Sequence, residues 1–187
     1  MGPSIGLFGG SFNPAHAGHR HVAMAGLRQL DLDRVWWMVS PQNPLKPEQP
    51  SAMSRARTIE DLNLPYAMTT SHIETEYGTS YTIDLLRTLR HRHPSTRFVY
   101  LMGSDNLLQL PQWRDWQSIL SLVPIAVIAR PGASIRARLG QAARQYAGYR
   151  LPEHQAHRLK DCAPPCWTYL TLPLNTLSST ALRQAGQ

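Results

Sequence analysis

Short apolar runs alternate with amphipathic stretches along most of the sequence. The runs have strand length, and the one at 34–40 is apolar on both faces, which is typical of a buried parallel strand. They lie at residues 5–8, 34–40, 66–73, 97–102 and 125–129. Between them a helical period of apolar residues predicts helices at 18–30, 54–62 and 80–90. This order predicts an α/β fold with a Rossmann-like, doubly wound and mostly parallel sheet.

The rest of the pattern is less regular. Residues 41–50 form a proline-rich loop, a helix is predicted at about 133–146, and the remainder up to 166 is predicted to be loop. The sequence shows no internal repeat and no linker. Because 187 residues suffice for one well-cored α/β domain, we predict a single domain over residues 1–187.

Composition narrows the class of protein. The apolar runs fall short of the roughly 20 residues that a membrane helix needs, and no signal-peptide h-region opens the chain, so we expect a cytoplasmic protein without a membrane partner. The net charge of +7 favours an anionic partner. The arginines of the sequence are scattered, whereas a nucleic-acid-binding surface would collect them on one face among aromatic residues. The sequence therefore predicts small phosphorylated substrates and no nucleic acid.

Two cysteines, Cys162 and Cys166, flank Ala-Pro-Pro. A zinc site would need two more ligands, for which only His154 and His157 lie nearby. A disulfide is unfavourable in a reducing compartment. We interpret both residues as ordinary thiols, with the zinc site as the alternative.

Unusual polar and small residues follow the predicted strands. They lie at 9–19, 41–46, 103–105 and at Arg130. Doubly wound sheets bind their ligands at the carboxyl ends of the strands. These segments are therefore predicted to surround one ligand site.

The segment 9–19 has the features of a phosphate-binding turn. Gly9 and Gly10 leave backbone N–H groups uncovered, and Asn13 and Pro14 suit an N-cap and a first helical position. The helix would then carry its two following histidines, three residues apart, on one face as donors to phosphate. A metal cluster of histidines is the alternative, but no acidic residue or cysteine accompanies them locally.

A second candidate phosphate site lies near the end of the sequence. Ser178 and Ser179 suit a helix N-terminus, where exposed N–H groups attract anions. Arg183 follows Ser179 by four residues and so shares its helical face, where the guanidinium can bind a phosphate with two hydrogen bonds. An ordinary capped helix explains the pattern equally well when it is taken alone.

The string G-G-S-F-N-P-A-H-A-G-H at 9–19 closely resembles the signature of the nucleotidyltransferase superfamily, whose H-x-G-H core falls on His16 to His19. The superfamily's second motif, I-S-S-T-x-x-R, is matched by L-S-S-T-A-L-R at 177–183. Intervening segments are similar to motifs of the nicotinate-nucleotide adenylyltransferase family. These are S-Y-T at 80–82, G-S-D-N-L at 103–107 with the later Trp113, and R-P-G at 130–132. The loop N-P-L-K at 43–46 departs from the family's P-P-H-K-like sequence.

The resemblance implies one nucleotidyltransferase domain over 1–187 and a role for each matching residue. The catalytic residues would be His16, His19 and Arg183. ATP and its phosphates would contact Gly9, Gly10, Ser11, Phe12, Gly103, Asp105, Ser178, Ser179 and Thr180. The pyridine mononucleotide would contact Lys46, Thr82 and Trp113, with the indole stacked on the ring.

The implied reaction is adenylyl transfer from ATP to nicotinate mononucleotide, which yields nicotinate adenine dinucleotide and pyrophosphate. Mg²⁺ would accompany ATP, bound mainly by phosphate oxygens and water, so no protein metal ligands are predicted. The alternatives within this class are nicotinamide mononucleotide or phosphopantetheine as the acceptor. Outside it, the chain could be a basic RNA-binding module or a non-catalytic nucleotide sensor.

Overall fold

A computed structural model describes residues 2–40, 49–130 and 132–171. In these ranges the chain forms one seven-stranded sheet, in the order β3-β2-β1-β4-β5-β7-β6, and each strand is parallel to its neighbours. The strands are β1 (Ser4–Gly10), β2 (Arg34–Val39), β3 (Met68–Ser71), β4 (Arg97–Gly103), β5 (Ile125–Ile128), β6 (Arg150–Leu151) and β7 (Trp167–Leu170).

Eight α-helices accompany the described strands. They are α1 (Ala17–Gln29), α2 (Ala52–Glu60), α3 (Ile73–Glu76), α4 (Thr82–Arg92), α5 (Ser104–Gln109), α6 (Trp116–Leu122), α7 (Ser134–Arg138) and α8 (Gln141–Gln145). Short 3₁₀ segments lie at Leu110–Gln112, Ala147–Tyr149 and Glu153–Asp161. The predicted fold class is confirmed, and each of the five predicted strands has a counterpart among β1 to β5.

Three local predictions differ from the structure. The helix predicted at about 133–146 is wrong, because the chain forms α7 and α8 with a break at Leu139 and Gly140. The third strand ends at Ser71, and the residues after it form α3. The stretch up to 166 was predicted to be loop, but it contains β6 and the 3₁₀ segments at Ala147–Tyr149 and Glu153–Asp161. The buried strand β7 that follows it was not predicted.

Alternate side chains of the central strands supply two apolar layers, one on each face of the sheet. Leu7 and Tyr100 belong to the layer that packs against α4 and α6, whereas Phe8 and Leu101 belong to the layer that packs against α1. Burial on both faces explains why the sequence of these strands is continuously apolar. None of the described helices is long and apolar enough to span a membrane.

The centre of the sheet lies between β1 and β4. The chain leaves β1 through α1 toward β2 on one side, and it leaves β4 toward β5 on the other. The connections therefore diverge at the carboxyl ends of β1 and β4 and leave a crevice there, which is where this class of sheet binds ligands. Gly10 and Gly103, the last residues of the two strands, border this crevice.

Candidate active site

The two glycines that end β1 are packed too closely for any side chain. A β-carbon on Gly9 would lie 2.6 Å from the Tyr100 hydroxyl, and one on Gly10 would lie 2.9 Å from the ring of Phe12. Phe12 has a φ of 46°, and its buried ring packs against Gly10. The ring therefore supports the backbone at the end of β1. The bare backbone at this edge therefore has a packing cause as well as the predicted suitability for phosphate.

The start of α1 differs from the prediction. Asn13 and Pro14 do not cap the helix, and the peptide bond between them is cis. The N-cap is His16, whose Nδ1 accepts a hydrogen bond of 3.0 Å from the Gly18 N–H. The preceding loop is held by α2, because the Ala15 N–H donates to the Thr58 hydroxyl at 2.9 Å.

The capping role fixes the protonation of His16. Burial, followed by the positive charge of Arg130, lowers the pKa of this imidazole to about 4, so it is neutral at pH 7. Because Nδ1 accepts from the helix backbone, the proton of the neutral ring resides on Nε2. Nε2 is buried and has no hydrogen-bond partner among the described residues. The ring thus holds a buried N–H donor ready for an external acceptor.

His19 lies beside this donor. Its ring centroid is 3.9 Å from that of His16, and the same ring makes an edge contact with Phe12, with 5.1 Å between the centroids. His19 is half-buried and lies in the first turn of α1, where the helix dipole favours anions. The structure therefore brings together the two histidines that the sequence motif predicted.

The opposite border of the crevice is formed by the end of β4. Asp105 pairs with Arg130 at 3.2 Å through Oδ2, and Oδ1 is buried without a partner in the described part of the chain. The Arg130 backbone N–H donates to the Ser104 hydroxyl at 2.9 Å, which fixes the end of β5 to α5. Arg130 was predicted to border the ligand site because it directly follows a buried strand, but its pairing with Asp105 was not predicted.

Gly103 lies between these two side chains, which leads to a stability prediction. A β-carbon at this position would lie 2.4 Å from Asp105 Oδ1 and 2.5 Å from the Arg130 side chain. Gly103→Ala is therefore expected to lower the free energy of unfolding by about 1–3 kcal/mol in urea titrations. Gly148→Ala is the matched control, since no atom lies within 4 Å of the position that its methyl group would occupy. An equal loss in both variants would contradict the packing role of Gly103.

A third part of the site lies at the start of α4. Thr82 is the first residue of this helix, and its hydroxyl interacts with the buried Tyr100 hydroxyl. The Trp113 ring stands edge-on to Tyr100 with 6.3 Å between the ring centroids. Trp113 is half-buried, so part of its indole remains open. Tyr100 thus connects both residues to Gly9, a link that was not apparent from the sequence.

A buried arginine joins the backbone segments that follow β1 and β2 beside the site. Arg55 of α2 is 2% exposed, and its guanidinium donates to three backbone carbonyls. They belong to Pro50 at 2.8 Å, Ser40 at 2.5 Å, and Ser11. Ser11 follows β1 and Ser40 follows β2, so one side chain joins the loops after two neighbouring strands. The sequence predicted α2 but not this role.

The remaining predicted site residues cannot be placed. Lys46, Ser178, Ser179, Thr180 and Arg183 lie outside the described residues. Among the residues that the structure describes, no group of three His, Cys, Asp or Glu side chains is arranged to hold a metal ion. Cys162 and Cys166 are free, half-buried thiols, and burial raises the pKa of Cys166 to about 12.

Comparisons with known proteins agree with this geometry. The sequence matches the cytidylyltransferase-like family over residues 7–185. A relative from Caulobacter sp. is 49% identical over 96% of both chains, and one from Cereibacter sphaeroides is 46% identical over 98% of this chain and 97% of the relative. Both are named "Probable nicotinate-nucleotide adenylyltransferase".

Solved structures share the fold at low sequence identity. The nicotinic acid mononucleotide adenylyltransferase of Plasmodium falciparum, complexed with NaAD, aligns with a TM-score of 0.75 at 17% identity, over 98% of this chain and 83% of that one. The same enzyme complexed with APC aligns with a TM-score of 0.72 at 16% identity. The match along the whole sequence, together with the paired histidines in the crevice, identifies this chain as a member of the cytidylyltransferase-like family and, within it, of the nicotinate-nucleotide adenylyltransferases.

Proposed function

We propose that the crevice between β1 and β4 transfers an adenylyl group from ATP to nicotinate mononucleotide, forming nicotinate adenine dinucleotide and pyrophosphate. The observation that carries this proposal is the neutral His16, whose buried Nε2–H has no partner among the described residues and stands beside His19 at the start of α1. Such a pair of donors suits phosphoryl oxygens. The names of the relatives support the choice of substrates.

The reaction needs alignment and charge stabilisation more than proton transfer. The attacking 5′-phosphate oxygen is already an anion, so no general base is required. His16 would donate to the α-phosphoryl group from a ring that stays neutral, and His19 would contact the neighbouring phosphate. Arg183 and the segment 178–180 are assigned to the leaving pyrophosphate by the resemblance of their motif. In-line geometry then follows from holding both nucleotides in one crevice.

Asp105 suits the adenosine ribose. One carboxylate oxygen is occupied by Arg130, while Oδ1 has no partner in the described ranges and can accept from a hydroxyl. Arg130 also faces His16, so it adds positive charge on the phosphate side of the crevice. Gly103 leaves the space in which this pair forms.

The second substrate would be held on the other side of Tyr100. The open face of Trp113 suits stacking on a flat pyridine ring, and Thr82 with the first N–H groups of α4 suits the ring carboxylate. Lys46 would contact a phosphate near the exit of the site. The carboxylate contact is what separates nicotinate from nicotinamide mononucleotide.

Mg²⁺ is proposed to enter with ATP. The described side chains form no cage for the ion, and the Asp105 carboxylate already pairs with Arg130. This donor set is compatible with a cation that is bound through phosphate oxygens and water. The ion would neutralise phosphate charge, and we assign no protein ligand to it.

The direct test measures pyrophosphate release with ATP and each of three acceptors: nicotinate mononucleotide, nicotinamide mononucleotide and phosphopantetheine. We expect kcat/KM to be highest with nicotinate mononucleotide. A higher value with either other acceptor would reassign the substrate. RNA binding that weakens steeply with salt, in the absence of any turnover, would instead favour a nucleic-acid module.

Trp113→Ala provides a test of the pyridine subsite. Loss of one stacking surface is expected to raise KM for nicotinate mononucleotide about tenfold, since aromatic stacking on a base contributes about 1–3 kcal/mol. KM for ATP should change less than about twofold. Trp116→Ala is the matched control, because its indole packs on Tyr146 at 5.9 Å, away from Tyr100. A tenfold rise in KM for ATP instead would place Trp113 at the adenine.

A further inference from the structure

A buried carboxyl group near the site has no part in the proposed chemistry. Glu74 lies on the short helix α3 and is 9% exposed, which is unusual for an acidic residue. Its carboxyl faces the Arg55 guanidinium and interacts with the Ser40 hydroxyl. A buried charge of this kind is costly unless it is paired, so its retention calls for a structural or functional reason.

Arg55 connects Glu74 to the phosphate side of the crevice. The same guanidinium that faces Glu74 donates to the carbonyl oxygens of Ser11 and Ser40. The Ser40 backbone N–H in turn donates to the Gly10 carbonyl at 3.1 Å. The carboxyl group is therefore joined through Arg55 to Ser11, the first residue after β1, and through Ser40 to Gly10, the last residue of β1.

The backbone of Glu74 leads to the pyridine side. Its carbonyl oxygen accepts from the Thr79 N–H at 3.0 Å and closes a turn that contains Gly78 at a φ of +62°. Three residues later the chain reaches Thr82, whose hydroxyl interacts with Tyr100. The segment 79–82 is therefore attached to α3 at Glu74 by this hydrogen bond.

We propose that Glu74 is a positioning residue for the pyridine-nucleotide subsite: paired with Arg55, its carboxylate holds the segment 79–82 in register with the loop after β1. This inference rests on the proposed function, because it concerns the binding of the acceptor nucleotide. Glu74 touches neither substrate. It acts through Arg55, Ser40 and the turn that precedes Thr82.

The charge of Glu74 changes close to neutral pH. Burial raises the pKa of this carboxyl to about 7, although the Ser40 hydroxyl and the Arg55 charge act in the opposite direction. The titratable groups that face it are Arg55 from α2 and Tyr100 from β4, and both keep one charge state across pH 6–8. His72, which precedes α3, and Glu76 at its end are both exposed. The pairing with Arg55 is therefore mostly lost to protonation at pH 6 and mostly formed at pH 8.

The experiment compares Glu74→Gln with wild type by steady-state kinetics at pH 6 and pH 8. The amide resembles the protonated carboxyl, so the ratio of wild-type to variant kcat/KM for nicotinate mononucleotide should be about 2 at pH 6 and about 10 at pH 8. The change should reside in KM for the mononucleotide, with KM for ATP altered less than about twofold. Taking the ratio cancels the titration of the substrate phosphate, which is common to both enzymes.

Glu76→Gln is the matched control, since it makes the same change on the exposed side of the same helix and should give a ratio near 1 at both pH values. A pH-independent ratio for Glu74→Gln would overturn the proposal. If that variant does not fold, Glu74→Asp is measured instead. A raised KM for nicotinate mononucleotide with the wild-type pH dependence would support the proposal, and a wild-type KM would overturn it. Absence of turnover in the wild type would refute the proposed function itself.

Discussion

His19→Ala is expected to lower kcat for pyrophosphate release about 10²- to 10³-fold while the protein remains folded. The loss has the size found when one preorganised donor to a developing negative charge is removed. His19 is half-buried, stands 3.9 Å from the His16 ring, and does not cap the helix, so its removal leaves the start of α1 intact. Steady-state turnover with both substrates saturating, together with circular dichroism, measures the two effects separately.

His21→Ala is the matched control for this variant. It removes an imidazole from the same helix, two residues further and thus roughly on the opposite side. Its kcat should stay within about twofold of wild type. Comparable losses in both variants would mean that helix α1 tolerates neither change, and near-normal turnover of a folded His19→Ala would exclude the histidine from catalysis.

Arg55→Ala is expected to destabilise the protein by about 3–5 kcal/mol, the range found when one partner of a buried charged network is removed. The carbonyl oxygens of Pro50, Ser11 and Ser40 would lose their donor inside the protein, and Glu74 would lose its counter-charge. Unfolding in urea, followed at pH 8 where Glu74 is ionised, measures this loss.

Arg57→Ala tests whether any arginine of α2 has the same effect. Arg57 is exposed, so its replacement should change the free energy of unfolding by no more than about 0.5 kcal/mol. Arg55→Lys should fall between wild type and alanine, because an ammonium group cannot reach three carbonyls in the geometry of a guanidinium. A stability loss below about 1 kcal/mol for Arg55→Ala would contradict the role of its three hydrogen bonds in joining these loops.

The contrast between these two arginines shows what a sequence pattern leaves undecided. Both stand in the segment M-S-R-A-R-T, and their type and spacing do not distinguish them. The partners of Arg55 lie up to 44 residues away in the sequence, so only the pairing of β1 with β2 decides which guanidinium is enclosed. Glu74 and Tyr100 escaped prediction for the same reason. The roles of buried polar residues depend on long-range contacts that periodicity does not encode.

The start of α1 was mispredicted for a related reason. Asn13 and Pro14 fit the preferences for a helix start, whereas histidine is not a favoured cap. The Thr58 hydroxyl from another helix takes the Ala15 N–H and holds the loop outside the helix, and His16 then becomes the cap. The local string G-G-S-F-N-P-A-H-A-G-H was enough to predict that the two histidines lie together, and their role as donors to phosphate stays a prediction.

The position of β1 between β2 and β4 has a consequence for how the chain acquires its site during synthesis. The register that joins Phe8 to Leu101 spans about half of the sequence, so β1 cannot gain its second neighbour until residues beyond 101 have left the ribosome. Until then β4, which forms the other border of the crevice beside the two histidines, is missing. Nascent or truncated chains that end before β4 should therefore be unable to retain nucleotide, and binding would report completion of the central strand pair.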